Sequence, residues 1–178
     1  MSSDHHWGPR VMLFLGDHDY ELYHQPIRDT LGNELPFSFR GYSTHFSVPD
    51  PNDKGVQHLE IADKRPINHR VEIMTLRQLF KNQLDFDLDA PIEVSDWLTF
   101  PSQRLLSITA GAVYHDGIGM AAQRERFRFY PRDIWLYLLA AGWTRISQEE
   151  AFVGRTGSVG DDLGSQVLAA RLVRDLMR

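Results

Sequence analysis

Short apolar runs separated by turn-forming residues dominate the first ninety residues of the chain. Residues 10–16 (RVMLFLG) form an apolar run that ends in glycine, which predicts a buried strand. Aromatic and β-branched residues across 37–48 predict a second strand. Two further strands are predicted at 57–62 and 70–74, after a turn-rich loop at 49–55.

Two helices are predicted among these strands. Asp17 is placed to cap the first helix, whose apolar side chains recur at helical spacing as far as Leu31, just before a Gly-Asn stop signal. Thr75 is placed to cap the second helix, which is predicted to run through Phe80.

Helical periodicity dominates the second half of the chain. Helices are predicted from Ser95, over 102–114, from Pro131 to about 146, and over 165–178. The stretch 154–164 holds four glycines and predicts a loop between the last two helices.

The separation of strands from helices predicts an α+β protein with a boundary near residue 90. Residues 1–90 are expected to form a small α/β domain, and residues 91–178 an α-helical domain. Trp135, Tyr137 and Trp143 lie in an apolar helix, and we interpret them as core side chains rather than as a platform for a nucleobase.

Composition narrows the class of protein. None of the 178 residues is cysteine, which excludes a disulfide scaffold, a thiolate zinc site and a cysteine nucleophile. The apolar runs are far shorter than the roughly 20 residues that span a bilayer, and no signal-peptide pattern is visible. We therefore expect a cytoplasmic protein with no membrane partner.

Charge is unevenly distributed along the chain. Residues 1–90 hold 9 basic and 14 acidic groups, whereas residues 91–178 hold 10 of each, so the net charge of −5 lies in the first half. An extended nucleic-acid groove needs a basic stripe, and we expect none here. The acidic half suits a divalent-cation site on carboxylates, and it suits equally a surface whose acids favour solubility.

The segment Asp4-His5-His6-Trp7, just before the first predicted strand, is the candidate functional site. In an extended segment, Asp4 and His6 project to the same side, about 6.5–7 Å apart. If the strand that holds Glu72 neighbours the first strand, these side chains form a cluster suited to Mg²⁺ or Mn²⁺ and to orienting a nucleoside triphosphate. The competing interpretation is structural: a turn-capping Asp4, a His6 packed on the adjacent tryptophan, and a solvent-facing Glu72.

Four strings of the sequence carry a family resemblance: SSDHHWGPRVMLFL at 2–15, TFPSQRLLSITAGAVYHDGIG at 99–119, YPRDIWLYLLAAGWTRISQEEAFVGRTGSVGDDLGS at 130–165, and AARLVRDLM at 169–177. On these strings the chain is identified as a member of the DUF4037 family, an uncharacterised family related to the nucleotidyltransferase superfamily. The resemblance implies that the first domain is a nucleotidyltransferase-like mixed-sheet α/β domain and that an all-helical domain follows it.

The same resemblance implies a catalytic pattern of a Gly-Ser turn, an acid-x-acid pair, and a third acid on a later strand, which together bind divalent ions and a triphosphate. The first acid maps to Asp4 and the third to Glu72, so both become catalytic and metal-binding candidates. The second position falls on His6, although imidazole is a poorer ligand for Mg²⁺ than a carboxylate. Three interpretations of His6 are open. It accommodates Mn²⁺ or Zn²⁺, it contacts a phosphate as an imidazolium cation, or it marks a catalytically weakened member of the family.

Further candidates lie on the nucleotide and acceptor sides. Arg10 follows the site closely and is placed to contact a phosphate, with an ordinary surface arginine as the alternative. Related nucleotidyltransferases shape the acceptor pocket with their helical domain. Glu149, Glu150 and Arg155 near the glycine-rich stretch are therefore acceptor-side candidates, with solvated helix residues as the alternative.

The leading hypothesis is a metal-dependent nucleotidyltransferase that moves a nucleotidyl group from a nucleoside triphosphate to an unknown acceptor. The alternative is a catalytically weakened nucleotide- or partner-binding module on the same fold. The Gly-Ser turn is absent, because only three residues precede Asp4, and the helical pattern continues to Arg178. We therefore expect a chain truncated at both ends, with an α/β domain that lacks its Gly-Ser element and a helical domain incomplete at its C-terminus.

Overall fold

A computed structural model describes residues 11–177 of the chain. These residues form both helices and short strands, which confirms the α+β class. By their internal contacts they divide into two compact units. The first unit contains residues 11–91 and Pro101–Arg124, and the second contains Ile92–Phe100 and residues 125–177. The two-domain division near residue 90 stays a prediction.

Strands and helices are numbered in chain order. The strands are β1 (Val11–Leu15), β2 (Ser38–Phe39), β3 (Tyr42–Ser43), β4 (His45–Phe46), β5 (Leu59–Glu60) and β6 (Val71–Thr75), and a 3₁₀ turn covers Pro51–Asp53. The helices are α1 (Asp17–Glu34), α2 (Leu76–Leu84), α3 (Val94–Thr99), α4 (Ser102–Thr109), α5 (Met120–Arg126), α6 (Arg132–Ser158) and α7 (Asp162–Leu176). Among the described residues, no helix has the length and apolar character needed to cross a membrane.

The parallel pair β1–β6 is the frame of the first unit. Its register places Met12 opposite Glu72 and Leu15 opposite Thr75. Parallel strands need a long crossover connection, and α1 is the helix of that connection and packs against both strands. The two strand predictions are confirmed for the described residues, but β1 is not fully buried, because Val11 remains 57% exposed.

The first helix differs from its prediction at both ends. Asp17 is the first residue of α1 rather than its cap, since Gly16 holds the cap position and makes no side-chain bond there. The helix also continues past Gly32 to Glu34. Gly32 is buried where Pro66 approaches the helix, and a Cβ at this position would lie 3.2 Å from the Cβ of Pro66. This glycine therefore permits close packing and does not end the helix.

The aromatic stretch 37–48 was expected to form one strand, and that prediction is wrong. Arg40 and Gly41 have φ values of 52° and 84°, which reverse the chain between β2 and β3. The next strand, β4, pairs with β5 instead, in an antiparallel register that sets Phe46 opposite Leu59. The side chains of 37–48 alternate as in a strand, but the two-residue turn divides the segment into separate short strands.

Helix α2 begins as predicted. The Thr75 hydroxyl accepts the Gln78 N–H at 3.2 Å, and the Gln78 side chain accepts the Thr75 N–H at 3.0 Å, which forms a capping box. Its apolar face packs against α4, where Phe80 and Ile108 have no exposed surface. Helix α4 ends at Thr109, earlier than predicted, and Gly111 follows with a φ of 85°.

Aromatic side chains form the core of the second unit. The Trp97 ring lies 5.4 Å from that of Tyr130 and 6.0 Å from that of Phe127, measured between centroids. Phe100 completes the cluster, 6.1 Å from Phe127. Tilted and edge-on contacts at such distances are favourable beyond the burial of area alone. They join α3 to the segment that leads into α6.

Helices α6 and α7 pack as an antiparallel hairpin. The predicted loop at 154–164 is wrong, because α6 continues through Gly154 and Gly157 to Ser158. The connection contains only residues 159–161, and Gly160 turns the chain with a φ of 82°. Packing against α7 compensates for the low helix propensity of these glycines.

Three aromatic residues of α6 were expected in the core, and that prediction is wrong. Trp135, Tyr137 and Trp143 are 40%, 61% and 60% exposed. Helix α7 ends just beyond Asp175, whose carboxylate contacts Arg145, so α7 does not cover the N-terminal half of α6.

Candidate functional site

Glu72 is the predicted site residue that lies in the described sheet. It occupies the second position of β6, directly opposite Met12 of β1, and is partly exposed. Side chains alternate along a strand, so Glu72 projects to the face opposite Val71 and the buried Ile73. Its carboxylate forms no hydrogen bond or ion pair with residues 11–177. As far as residues 11–177 are concerned, this carboxylate between two apolar neighbours is therefore unpaired and open to a ligand.

The predicted partners of Glu72 are Asp4, His6 and Arg10, and these lie outside the described residues. We expected these side chains to converge if the strand that holds Glu72 neighbours the first strand. The two strands are neighbours, because β1 pairs with β6. The register alone does not fix the distance, because the eight residues from Asp4 to Met12 can span up to about 28 Å. The convergence of these side chains stays a prediction.

Metal ligands are also predicted rather than observed. Within residues 11–177, no group of three or more His, Asp or Glu side chains is arranged to hold a metal ion. The carboxylate of Glu72 is of the oxygen-donor type that Mg²⁺ and Mn²⁺ prefer.

An ionic cluster at the carboxyl ends of β1 and β6 was not predicted from the sequence. The Arg77 Nε lies 2.8 Å from the Oδ2 of Asp17, and its Nη1 contacts Asp89 closely and lies 3.9 Å from Asp87. The hydrogen bonds that Arg77 donates to Asp89, and then to Asp17, raise the pKa of the guanidinium. The signal was present in the sequence, since Asp17 and Arg77 each follow a strand by two residues. The cluster joins the start of α1 to the loop after α2.

The acceptor-side candidates all lie within α6 rather than beside a loop. The Oε1 of Glu149 is 3.0 Å from the Nη2 of Arg171 on α7, and its Oε2 is buried without a hydrogen-bond partner in the described structure. Glu150 is exposed, and the Arg155 guanidinium lies 5.3 Å from the Phe152 ring centroid. Their catalytic roles stay predictions.

Asp116 lies in the segment between α4 and α5, and its carboxylate contacts the first residues of α5. Asp116 accepts the N–H of Met120 at 2.7 Å and that of Ala121 at 2.8 Å. These two bonds, with Ala121 the larger contributor, hold the pKa of the Asp116 carboxyl below its usual value. From four residues before α5, Asp116 therefore satisfies the first two N–H groups of the helix, a structural role that needs no catalysis.

Comparison with known proteins gives one family. Residues 97–178 match the family described as a domain of unknown function, DUF4037. Three of the four strings that carry the resemblance fall wholly inside this match, whereas the string at 2–15 falls outside it. No curated protein and no solved structure matches the chain. The match therefore supports the DUF4037 resemblance over residues 97–178.

Proposed function

We propose that this protein is a metal-dependent nucleotidyltransferase, which moves a nucleotidyl group from a nucleoside triphosphate to an acceptor. The observation that carries the proposal is the parallel pairing of β1 with β6, because it sets Glu72 on the strand next to the one that Asp4 and His6 precede. The unpaired state of the Glu72 carboxylate among the described residues supports it. So does the kinship with nucleotidyltransferases that the DUF4037 resemblance implies.

In the proposed reaction, an acceptor oxygen attacks the α-phosphorus of the triphosphate. The bond from that phosphorus to the bridging oxygen breaks, and pyrophosphate leaves with the electron pair. Asp4 and Glu72 would hold Mg²⁺ or Mn²⁺, which neutralises the charge that develops on the phosphates. His6 would assist these two carboxylates, and Arg10 would contact a phosphate.

The acceptor side is assigned to the helical part of the chain. One of Glu149 and Glu150 would take the proton of the acceptor, and Arg155 would orient the acceptor. A nucleotidyltransferase-like fold for residues 1–90 and a helical domain over 91–178 belong to the same proposal.

A catalytically weakened binding module is the second candidate function. The presence of His6 at the second acidic position favours it, since imidazole binds Mg²⁺ poorly. Such a protein would bind a triphosphate or a partner without releasing pyrophosphate.

Calorimetry with ATP and Mn²⁺ or Mg²⁺, followed by a pyrophosphate-release assay, tests both candidates. Asp4→Ala and Glu72→Gln remove proposed ligands, and each should weaken metal-dependent binding of ATP by roughly tenfold or more. Glu60→Gln is the matched control, because Glu60 is an exposed acid on the short strand β5. It should leave binding unchanged.

The outcomes separate the two functions. Pyrophosphate release that is lost in both ligand variants supports the transferase. Binding without release supports the weakened module, and a gain of release in His6→Asp would identify the imidazole as the cause. The absence of any metal-dependent ATP binding would exclude the transferase and a module that binds a triphosphate.

A further inference from the structure

Helix α6 contains an uncharged stretch whose large side chains remain exposed. Residues 134–143 (IWLYLLAAGW) hold no charged side chain. A helix that is apolar on every side is normally buried on every side. Helix α7 contacts the later part of α6, at Arg145 and Glu149, and most of the large side chains of 134–143 stay exposed. Within residues 11–177, part of this stretch therefore lacks the apolar neighbour that its sequence favours.

One side of α6 carries four apolar side chains at intervals of three, four and three residues: Leu136, Leu139, Trp143 and Ile146. This is the spacing at which one helix presents side chains to another. The first three are 43%, 39% and 60% exposed, and Ile146 is partly buried. Arg145 and Glu149, which bind α7, lie roughly 100° or more around the helix from the middle of this stripe. We call these four residues the α6 seam.

Opposite charges lie at the two ends of the seam. Arg132 precedes Leu136 by four residues, and Glu150 follows Ile146 by four, so both continue the spacing of the seam. Both side chains are exposed, and neither forms an ion pair or hydrogen bond with residues 11–177. The same side of α6 therefore presents a cation, an apolar centre and an anion, in that order.

This order makes the seam complementary to an antiparallel copy of itself. A two-fold axis at the level of Ala141 sets Arg132 opposite Glu150 of a second copy, at both ends of the contact. It also sets Leu139 opposite Trp143. A two-fold contact uses the same patch on both copies, as this arrangement does. A parallel arrangement would instead bring like charges together at each end, which is unfavourable.

The exposed apolar area is sufficient for a weak specific contact. The Trp135 ring lies beside the seam, and the Phe129 ring extends the patch, 5.9 Å from Trp135 between centroids. Fully exposed large side chains present about 150–250 Å² each, so the seam and these two rings expose on the order of 500 Å² of apolar surface. Two copies would bury about 1,000 Å² in total, which is the lower limit of a specific interface.

We propose that this protein self-associates through the α6 seam as an antiparallel, two-fold symmetric dimer. The apolar centres of the two seams pack together, and Arg132 of each copy pairs with Glu150 of the other. Because the area is small, the dissociation constant should lie in the micromolar range. The dimer does not depend on nucleotidyl transfer, and it leaves Glu149 as the acceptor-side carboxylate of the proposed function.

Sedimentation velocity of the whole chain between about 1 and 300 μM tests the proposal, and the weight-average sedimentation coefficient should rise from monomer to dimer. Trp143→Gln should weaken association by roughly tenfold or more, because each dimer loses the ring twice. Tyr137→Gln is the matched control. Tyr137 is 61% exposed on the same helix, about 140° around from the seam, and its replacement should leave association unchanged.

A charge exchange tests the antiparallel arrangement. Arg132→Glu places two carboxylates together at each end of the dimer, and Glu150→Arg places two guanidinium groups there. Each single substitution should weaken association by about fivefold at low salt, and the double substitution should restore it to within about twofold of the parent protein. High salt should reduce these differences. Recovery in the double variant cannot result from misfolding of the single variants.

The results that would overturn the proposal are distinct. A chain that stays monomeric over the whole concentration range would exclude the dimer and leave the seam to a different partner. A dimer that Trp143→Gln and Tyr137→Gln affect equally would form through another surface. Single charge substitutions without effect, or a double substitution that does not recover, would exclude the antiparallel contact. If Trp143→Gln fails to fold by circular dichroism, Leu139→Gln applies the same test at the centre of the seam.

Discussion

The Nε of Arg145 on α6 lies 3.0 Å from the Oδ2 of Asp175 on α7, and the Asp175 side chain has no exposed surface. A second pair joins Glu149 of α6 to Arg171 of α7, also at 3.0 Å. Each helix carries its two charges four residues apart. Because the helices are antiparallel, each cation meets the anion of the other helix, and these contacts fix the register of the hairpin.

Replacing Arg145 should lower the free energy of unfolding more than replacing Asp175 does. The Asp175 oxygens have ion pairs with Arg145 and, at 3.6 Å, with Arg174 but no aligned hydrogen bond. Arg145, in contrast, is 44% exposed and can be hydrated alone. Arg145→Met should lower the free energy of unfolding by about 2 kcal/mol, a value reduced for that exposure, and Asp175→Asn should lower it by less.

Urea unfolding of the two single variants and the double variant measures the coupling between the residues. Glu150→Gln, at an exposed position of the same helix, is the control and should change stability little. Strictly additive effects in the cycle would show that the pair contributes nothing to the hairpin.

Thr75 should contribute to stability through its capping box. Thr75→Ala removes the acceptor for the Gln78 N–H and should lower the free energy of unfolding by about 1 kcal/mol, whereas Thr75→Ser should retain most of it. Ser102→Ala is the matched control, because Ser102 begins α4 but Pro101 holds the cap position. Equal unfolding midpoints for Thr75→Ala and the parent protein would contradict this role.

Two glycines of the helical hairpin should respond to alanine in opposite directions. A Cβ on Gly164 would overlap the Oδ2 of Asp161, whose Oδ1 accepts the Gly164 N–H at 2.8 Å and caps α7. Gly164→Ala should therefore displace the cap and destabilise the protein. A Cβ on Gly154 meets no other atom within 4 Å, so Gly154→Ala should stabilise the protein by up to about 1 kcal/mol.

Thermal unfolding of these variants in parent and Asp161→Ala backgrounds separates the causes. Once the cap is absent, Gly164→Ala has nothing to displace, and its effect should change sign. A Gly164→Ala penalty that persists without Asp161 would show that the cap is not its source.

Asp116 should make stability depend on pH in the acid range. Its pKa is lowered in the folded protein, chiefly by the Ala121 and Met120 N–H groups, so the folded state favours the ionised form. This contribution is complete above the unfolded pKa of about 3.9 and is lost as pH falls through the folded pKa. Asp116→Asn should flatten the loss of stability below about pH 4.

The free energy of unfolding of both proteins as a function of pH measures the difference, and the carboxyl carbon shift of Asp116 reports its folded pKa directly. Parallel stability curves for the two proteins would contradict the prediction.

Local sequence signals were sufficient to predict an element where residues adjacent in the chain specify it. The apolar run before Gly16, the strand around Ile73 and the capping box at Thr75 are formed by residues adjacent in the chain. The periodicity that predicted α7 is local in the same sense. The DUF4037 strings are likewise a property of the sequence, and the match over residues 97–178 agrees with them.

Interactions between distant residues decided the rest. Nothing local specifies that β1 and β6 are neighbours, that α6 continues through Gly154, or that Asp175 is buried against Arg145. Packing against α7 outweighs the helix propensity of the glycines, and a two-residue turn outweighs the strand propensity of 37–48. The sequence by itself determined two things. It determined the helices and strands that neighbouring residues specify, and it determined the resemblance of residues 97–178 to the DUF4037 family. Only the tertiary structure set Glu72 beside β1, because this depends on two segments about 60 residues apart in the chain meeting in space.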